Sequence, residues 1–147
     1  MIMDDRLEFV DNTALTAGIA TTLQGDVIDI TTTRDWGMGE QLYLVIQLTE
    51  AVTSGGSATL QFKLLSDSTA VVAVDGTATQ HVDTGALAKT VFTLGKRFIF
   101  PIGVGTTFER FVGITLTTAT ATLTAGKIDA FLTKDPVGWT AYADATN

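Results

Sequence analysis

The sequence predicts an all-β fold of about seven or eight short antiparallel strands, built as a sandwich, jelly roll or barrel. Three observations carry this. Thr, Gly, Val and Ala dominate the 147 residues while strong helix formers are sparse, and β-branched side chains suit a pleated surface better than a helix. Several segments alternate apolar and polar residues at period two, the strand signal. No stretch of ten or more residues carries a helical apolar stripe, which argues against bundles and βαβ folds.

The clearest alternation is Leu42, Leu44, Ile46 and Leu48 against Tyr43, Val45, Gln47 and Thr49. Leu60, Phe62 and Leu64 repeat it against Gln61 and Lys63, across a Thr53–Ser57 loop rich in Gly and Ser. Residues 42–65 are therefore expected to form one antiparallel hairpin. Val71–Val74 is expected as a short strand ended by the turn dipeptide Asp75-Gly76. Residues 77–90 carry no strong period and read as a loop or short extended segment. Phe92, Leu94, Phe98, Phe100 and Ile102 share parity across Gly95-Lys96, and Pro101, which cannot donate to a ladder, marks a sheet edge or strand end. Residues 108–118 alternate again, with Arg110 and Phe111 interrupting their faces, so both faces of that strand are expected to be partly covered. Between 120 and 133 the phase changes from Leu123 to Ile128, Ala130 and Leu132, and a β-bulge near Ala125-Gly126 would correct it.

The first 25 residues hold Leu7, Phe9, Val10, Leu15 and Ile19 without a sustained period. They read as an extended arm that gains order on a partner, with Val27, Ile28 and Ile30 opening the first body strand. The expected organisation is an arm over 1–25, a domain over 26–135 and a tail over 136–147.

Composition bounds the function. Nine Lys and Arg against sixteen Asp and Glu give a formal charge of −7 and a pI near 4.4. Nucleic-acid binding needs cations to displace phosphate counterions, so neither nucleic acid nor an anionic membrane is an expected partner. Hydrophobic residues make up 46% of the chain, yet no apolar run approaches the roughly 20 residues of a membrane span. A large core, buried subunit contacts, or both would account for that apolarity. The opening Met-Ile-Met-Asp-Asp-Arg has no basic stretch ahead of an apolar run, so no secretory leader is expected. There are no cysteines, hence no disulfide or thiolate chemistry.

Reactive constellations are missing from the sequence. His81 is the one histidine; a catalytic or metal site needs convergent partners, and a surface or partly buried role fits it better. Asp4, Asp5, Asp26 and Asp29 have no glycosidase-like spacing, and Asp67, Asp75 and Asp83 no calcium-loop pattern. The paired glycines form no phosphate-binding motif. No enzymatic activity, cofactor or metal is expected. Trp36 and Trp139 stand in loop-like contexts, where each reads equally as an interface anchor or as a cap over the core edge.

The order of segments resembles the capsid cement, or decoration, proteins of tailed phages, of the Bordetella-phage type. The matching pieces are Asp11-Asn12-Thr13-Ala14-Leu15-Thr16, Val27-Ile28-Asp29-Ile30, Arg34-Asp35-Trp36-Gly37-Met38-Gly39 and the strand at 42–48. They continue with Leu94-Gly95-Lys96-Arg97-Phe98, Phe100-Pro101, Arg110-Phe111-Val112-Gly113 and Thr124-Ala125-Gly126-Lys127-Ile128. The resemblance implies a jelly roll and a homodimer or homotrimer on the outer surface of the phage head. It also implies an arm that staples major capsid subunits. Leu7, Phe9, Val10, Leu15 and Ile19 are then the expected capsid or subunit contacts, with Trp36 and Trp139 as possible anchors. A receptor- or carbohydrate-binding jelly roll, or a connector or tail protein of the virion, is the alternative.

Overall fold

The computed structural model describes residues 5–15, 18–36, 39 and 41–137. A four-stranded and a five-stranded antiparallel sheet face each other. The first has the order β1 (Glu8–Ala14), β11 (Leu123–Thr133), β4 (Leu42–Ser54), β8 (Arg97–Ile102). The second has the order β2 (Thr21–Asp29), β10 (Phe111–Ala119), β5 (Thr59–Asp67), β6 (Thr79–Asp83). Three two-residue strands complete the set. β7 (Leu87–Ala88) pairs with β5, and β3 (Arg34–Asp35) forms a separate ribbon with β9 (Thr107–Phe108). Among the eight longer strands the first pairs with the last, the second with the seventh, the third with the sixth and the fourth with the fifth. That nested pairing is the wrapping of a jelly roll, and no α-helix occurs among the described residues.

The alternating segments fold as strands, but residues 42–65 are not a hairpin. β4 and β5 belong to opposite sheets. Each carries a continuous apolar face, and each buries it against the other's sheet rather than side by side with it. Leu44, Ile46 and Leu48 meet the core from one side, Leu60, Phe62 and Leu64 from the other, all essentially without exposure. Ile114 and Leu116 of β10 and Ile128 and Ala130 of β11 fill the same layer. Each such large side chain contributes about 1.5–3 kcal/mol on burial.

The N-terminal segment is also corrected. Glu8–Ala14 is a strand paired to β11, and β2 begins at Thr21. Phe9, Val10 and Leu15 are core residues at 1–2% exposure. Gly25 lets the two strands meet: it has φ +62°, and a Cβ there would collide with the Phe9 carbonyl oxygen. The domain therefore begins with β1, and no free arm exists over 8–15 or 21–25.

Smaller differences have local causes. Val71–Val74 is irregular, because only Val72 turns inward while the Asp67 carboxylate takes backbone N–H groups that a ladder would use. Residues 89–91 form a short 3-10 turn and only 97–102 a strand; Leu94 is exposed. Segment 108–118 breaks at Glu109-Arg110 into β9 and β10. Pro101 does lie on an edge strand. The β11–β4 register does slip around Ala125–Lys127, where Gly126 packs on Val52. Part of the chain's apolarity lies outside the main core, on the outward faces of the two sheets. There Val45 and Phe131 face each other in register, and Leu65 and Val72 are likewise buried.

Candidate functional site

Of the residues singled out in the sequence, Phe9, Val10 and Leu15 are locked in the core and offer no contact surface. Leu7 is half-buried against that core. Ile19 alone among them projects, at 61% exposure. Trp36 packs edge-on against Phe108, centroids 5.7 Å apart at 78°, and so caps the end of the core. Trp139 and the tail beyond Val137 lie outside the described residues.

His81 has partners that its sequence neighbours did not reveal. Its ring stacks on Phe108, and its Nε2 lies 2.7 Å from Ser66 Oγ. Ser66 Oγ also accepts the Glu109 backbone N–H at 3.0 Å, and Thr79 Oγ1 donates to Glu109 Oε1 at 2.6 Å. Burial pushes the His81 pKa below its ordinary value against the opposing pull of the Glu109 charge. A serine hydroxyl beside an imidazole and a carboxylate invites comparison with acyl-transfer sites. Here Ser66 has no exposure, and no substrate atom could reach it. The cluster ties β5, β6 and the β9–β10 break together.

A cleft of about 480 Å³ runs along the β1–β2 seam, lined by Arg6, Glu8, Asp11, Asp26 and Asp29 together with Phe9, Val10, Val27 and Ile28. At its edge the two Asp29 oxygens accept Arg110 Nε–H and Nη2–H at 2.9 and 2.8 Å. Those bonds, with the Thr31 N–H, hold the Asp29 carboxyl below the usual carboxylate range. Arg110 in turn lies over the Phe111 ring at 4.8 Å. The pair is solvent-exposed, so its contribution is small. No group of three or more acidic or histidine side chains is placed to hold a metal among the described residues.

The second sheet carries a different feature. Residues 68–78, between β5 and β6, fold back over its outward face. Val72 seats on Gly113, where a Cβ would come within 2.9 Å of Leu23 and 3.3 Å of Val72. Asp67 stitches the loop from inside, accepting the N–H groups of Thr69 and Ala73, both at 3.1 Å. Val71 and Val74 are thereby held outward, at 78% and 42% exposure.

The molecule is thus a β-sandwich of the jelly-roll type whose polar networks brace the fold. A family model, Bbp16, matches residues 9–132, from β1 to the end of β11, and the chain belongs to the Bbp16 family. That name points to a Bordetella phage structural protein, which makes this a phage-related family. No curated protein matches the chain.

Proposed function

We propose that the protein is a cement, or decoration, protein of a tailed-phage head, seated on the outer surface and bridging major capsid subunits. The observation that carries this is the Bbp16 match, which takes in all eight strands of the sandwich. Two further features support it. Ser66 and His81 are engaged in packing, and Val71 and Val74 are held outward on the loop between β5 and β6.

Packed DNA presses the subunits of a filled head apart. A molecule attached to two of them adds binding free energy that must be lost before they separate. Weak patches joined in one body sum to tight attachment, and self-association as a dimer or trimer multiplies the patches. Because Phe9, Val10 and Leu15 belong to the core, the bridge is a rigid body carrying loops, with no loose arm over β1.

Adding the purified protein to heads that lack it tests the reading. Particle averaging should show density at regular positions on the outer surface, and the decorated heads should rupture at a higher temperature. Density confined to the portal vertex or the tail, or no binding at all, would refute it.

A further inference from the structure

We propose that residues 138–147 cross the outward face of the first sheet as a third layer, with Trp139 seated over Phe131 and Val45. This closure is independent of what the protein binds.

Alternate residues of the paired strands build that face. Val45 stands in register with Phe131 on one side and Ile99 on the other, and Gln47 with Asp129 and Arg97. Tyr43 and Thr133 form the row nearest the end of β11. The outer face of a two-layer sandwich ordinarily meets water and is polar. Here Val45 is 0% exposed, Phe131 1%, Gln47 3% and Thr133 7%, and neither Val45 nor Phe131 belongs to the core between the sheets. Side chains stand roughly perpendicular to a sheet, so neighbours on the same face cannot close over a phenyl ring. A further layer must lie above it.

Among the described residues no helix or strand occupies that place. The second sheet packs on the opposite side. The short turn at 89–91 lies beside Ser54 and Ala58, beyond the far end of the face. The turn at 5–7 faces the β1–β2 seam, where Arg6 lines the cleft and Leu7 meets the core.

Position, length and chemistry single out 138–147. β11 delivers the chain to this face, since Thr133 lies on it two residues from Phe131. Thr133 Oγ1 then donates to the Asp135 carbonyl and the Val137 N–H to Asp135 Oδ1, which turns the backbone as the strand ends. Four strands span about 15 Å, and ten extended residues reach about 33 Å, enough to run from β11 past β4 to β8. The segment holds Trp139 and Tyr142 and no Lys or Arg. Its aromatic rings supply the bulk that Phe131 and Val45 need above them. Gln47 Oε1 is buried with no hydrogen-bond partner, and an indole N–H, which only donates, is its complement. Asp144 is the segment's one charged side chain, and Arg97 stands on the β8 side of the face. Ile99, at 40% exposure, marks where the cover thins at that edge.

The test exploits a chain with no cysteine and two tryptophans. Single nitroxide labels are placed at Ile99→Cys, on the rim of the face, and at Val71→Cys, on the opposite sheet. Both are made in a Trp36→Phe background that leaves Trp139 as the remaining tryptophan. The label at 99 should quench Trp139 emission several-fold, and the label at 71 should leave it unchanged. Deleting 138–147 should preserve β-sheet circular dichroism and raise binding of an apolar dye several-fold. Should the shortened chain fail to fold, the label pair in the full chain still decides. Equal emission with the two labels would show that Trp139 lies off this face and would sink the proposal. Quenching at 99 that falls away as the protein is diluted would place the segment on a second copy and overturn the closure within one chain. Dye binding that rises on deleting 1–4 and not on deleting 138–147 would give the cover to the N-terminal residues and overturn it as well.

Discussion

The His81 ring lies stacked on Phe108, centroids 3.8 Å apart and planes 23° from parallel, with Nε2 held 2.7 Å from a fully buried Ser66 hydroxyl. Protonation would make Nε2 an obligate donor. The Ser66 oxygen, already accepting the Glu109 N–H, would then need a new acceptor for its own hydrogen. Burial of the ring disfavours the charged form and holds its pKa below the ordinary 6.5, against the opposing pull of the Glu109 charge.

A pH dependence follows with a definite sign. Above 6.5 both states are neutral at His81, and this group adds no slope. As pH falls below 6.5 the unfolded chain takes up the proton first, so stability declines until the folded value is passed. The carboxyls of Asp29, Asp67 and Asp75, lowered from 3.8 by their hydrogen bonds, act in a separate window. Their stabilisation is full above 3.8 and is lost as pH drops through their folded values. Urea midpoints between pH 7 and 4.5 should fall in wild type and stay flatter in His81→Gln. Equal slopes for the two proteins would remove His81 as the cause.

Gly25 sets the closest approach between β1 and β2. An added Cβ meets the Phe9 carbonyl oxygen and comes within 2.9 Å of Val10, at a φ of +62° that L residues rarely adopt. Gly25→Ala should lose about 1–2 kcal/mol to the left-handed backbone alone, and more because backbone must move. Gly55→Ala, with open space around it, should lie within about 0.5 kcal/mol of wild type. Chemical denaturation of the pair distinguishes the contact from a general glycine effect.

The same seam explains what was legible in the sequence and what was not. The period-two faces of 42–48, 58–65 and 108–118 identified strands, because a strand half-buried anywhere shows that period. It did not identify partners, since Leu44 and Phe62 look alike whether paired in one sheet or packed across two. β1 was misread because its register slips between Glu8 and Val10 and again before Thr13, around Asn12 with φ +42°. Those slips erase the alternation that would have marked it. The His81 cluster joins residues from three separate segments, and no spacing rule connects them.

Because β1 is structural, removing it should be damaging. Deleting residues 1–14 strips three core or near-core side chains, Leu7, Phe9 and Val10, and exposes the β11 edge for aberrant pairing. The truncated chain should be insoluble or lack a cooperative unfolding transition. Phe9→Ala should cost about 3–5 kcal/mol, whereas Ile19→Ala, at an exposed position, should stay near wild type. A soluble, cooperatively folding deletion would restore the idea of a detachable arm.

Asp67 governs the order of the 68–78 loop, since its two oxygens accept the N–H groups of Thr69 and Ala73. Asp67→Ala should leave the sandwich folded, because Val72 still seats on Gly113. It should speed amide exchange at Thr69 and Ala73 and raise proteolytic nicking between 68 and 78. Unchanged exchange at both amides would show that Val72 alone orders the loop.

Thr118 offers a stability test on the core side of β10. It is 1% exposed, and its Oγ1 has no hydrogen-bond partner. An unsatisfied buried hydroxyl costs about 1–3 kcal/mol, and replacing it with a methyl of the same shape removes that cost. Thr118→Val should therefore raise stability by about 1 kcal/mol, a Tm gain of roughly 2–4 °C at this chain length. Thr21→Val is the opposing case. It breaks the 2.9 Å bond to Thr117 and should lower stability by about 1 kcal/mol. If both valines shift Tm in the same direction, side-chain shape rather than hydrogen bonding decides these positions.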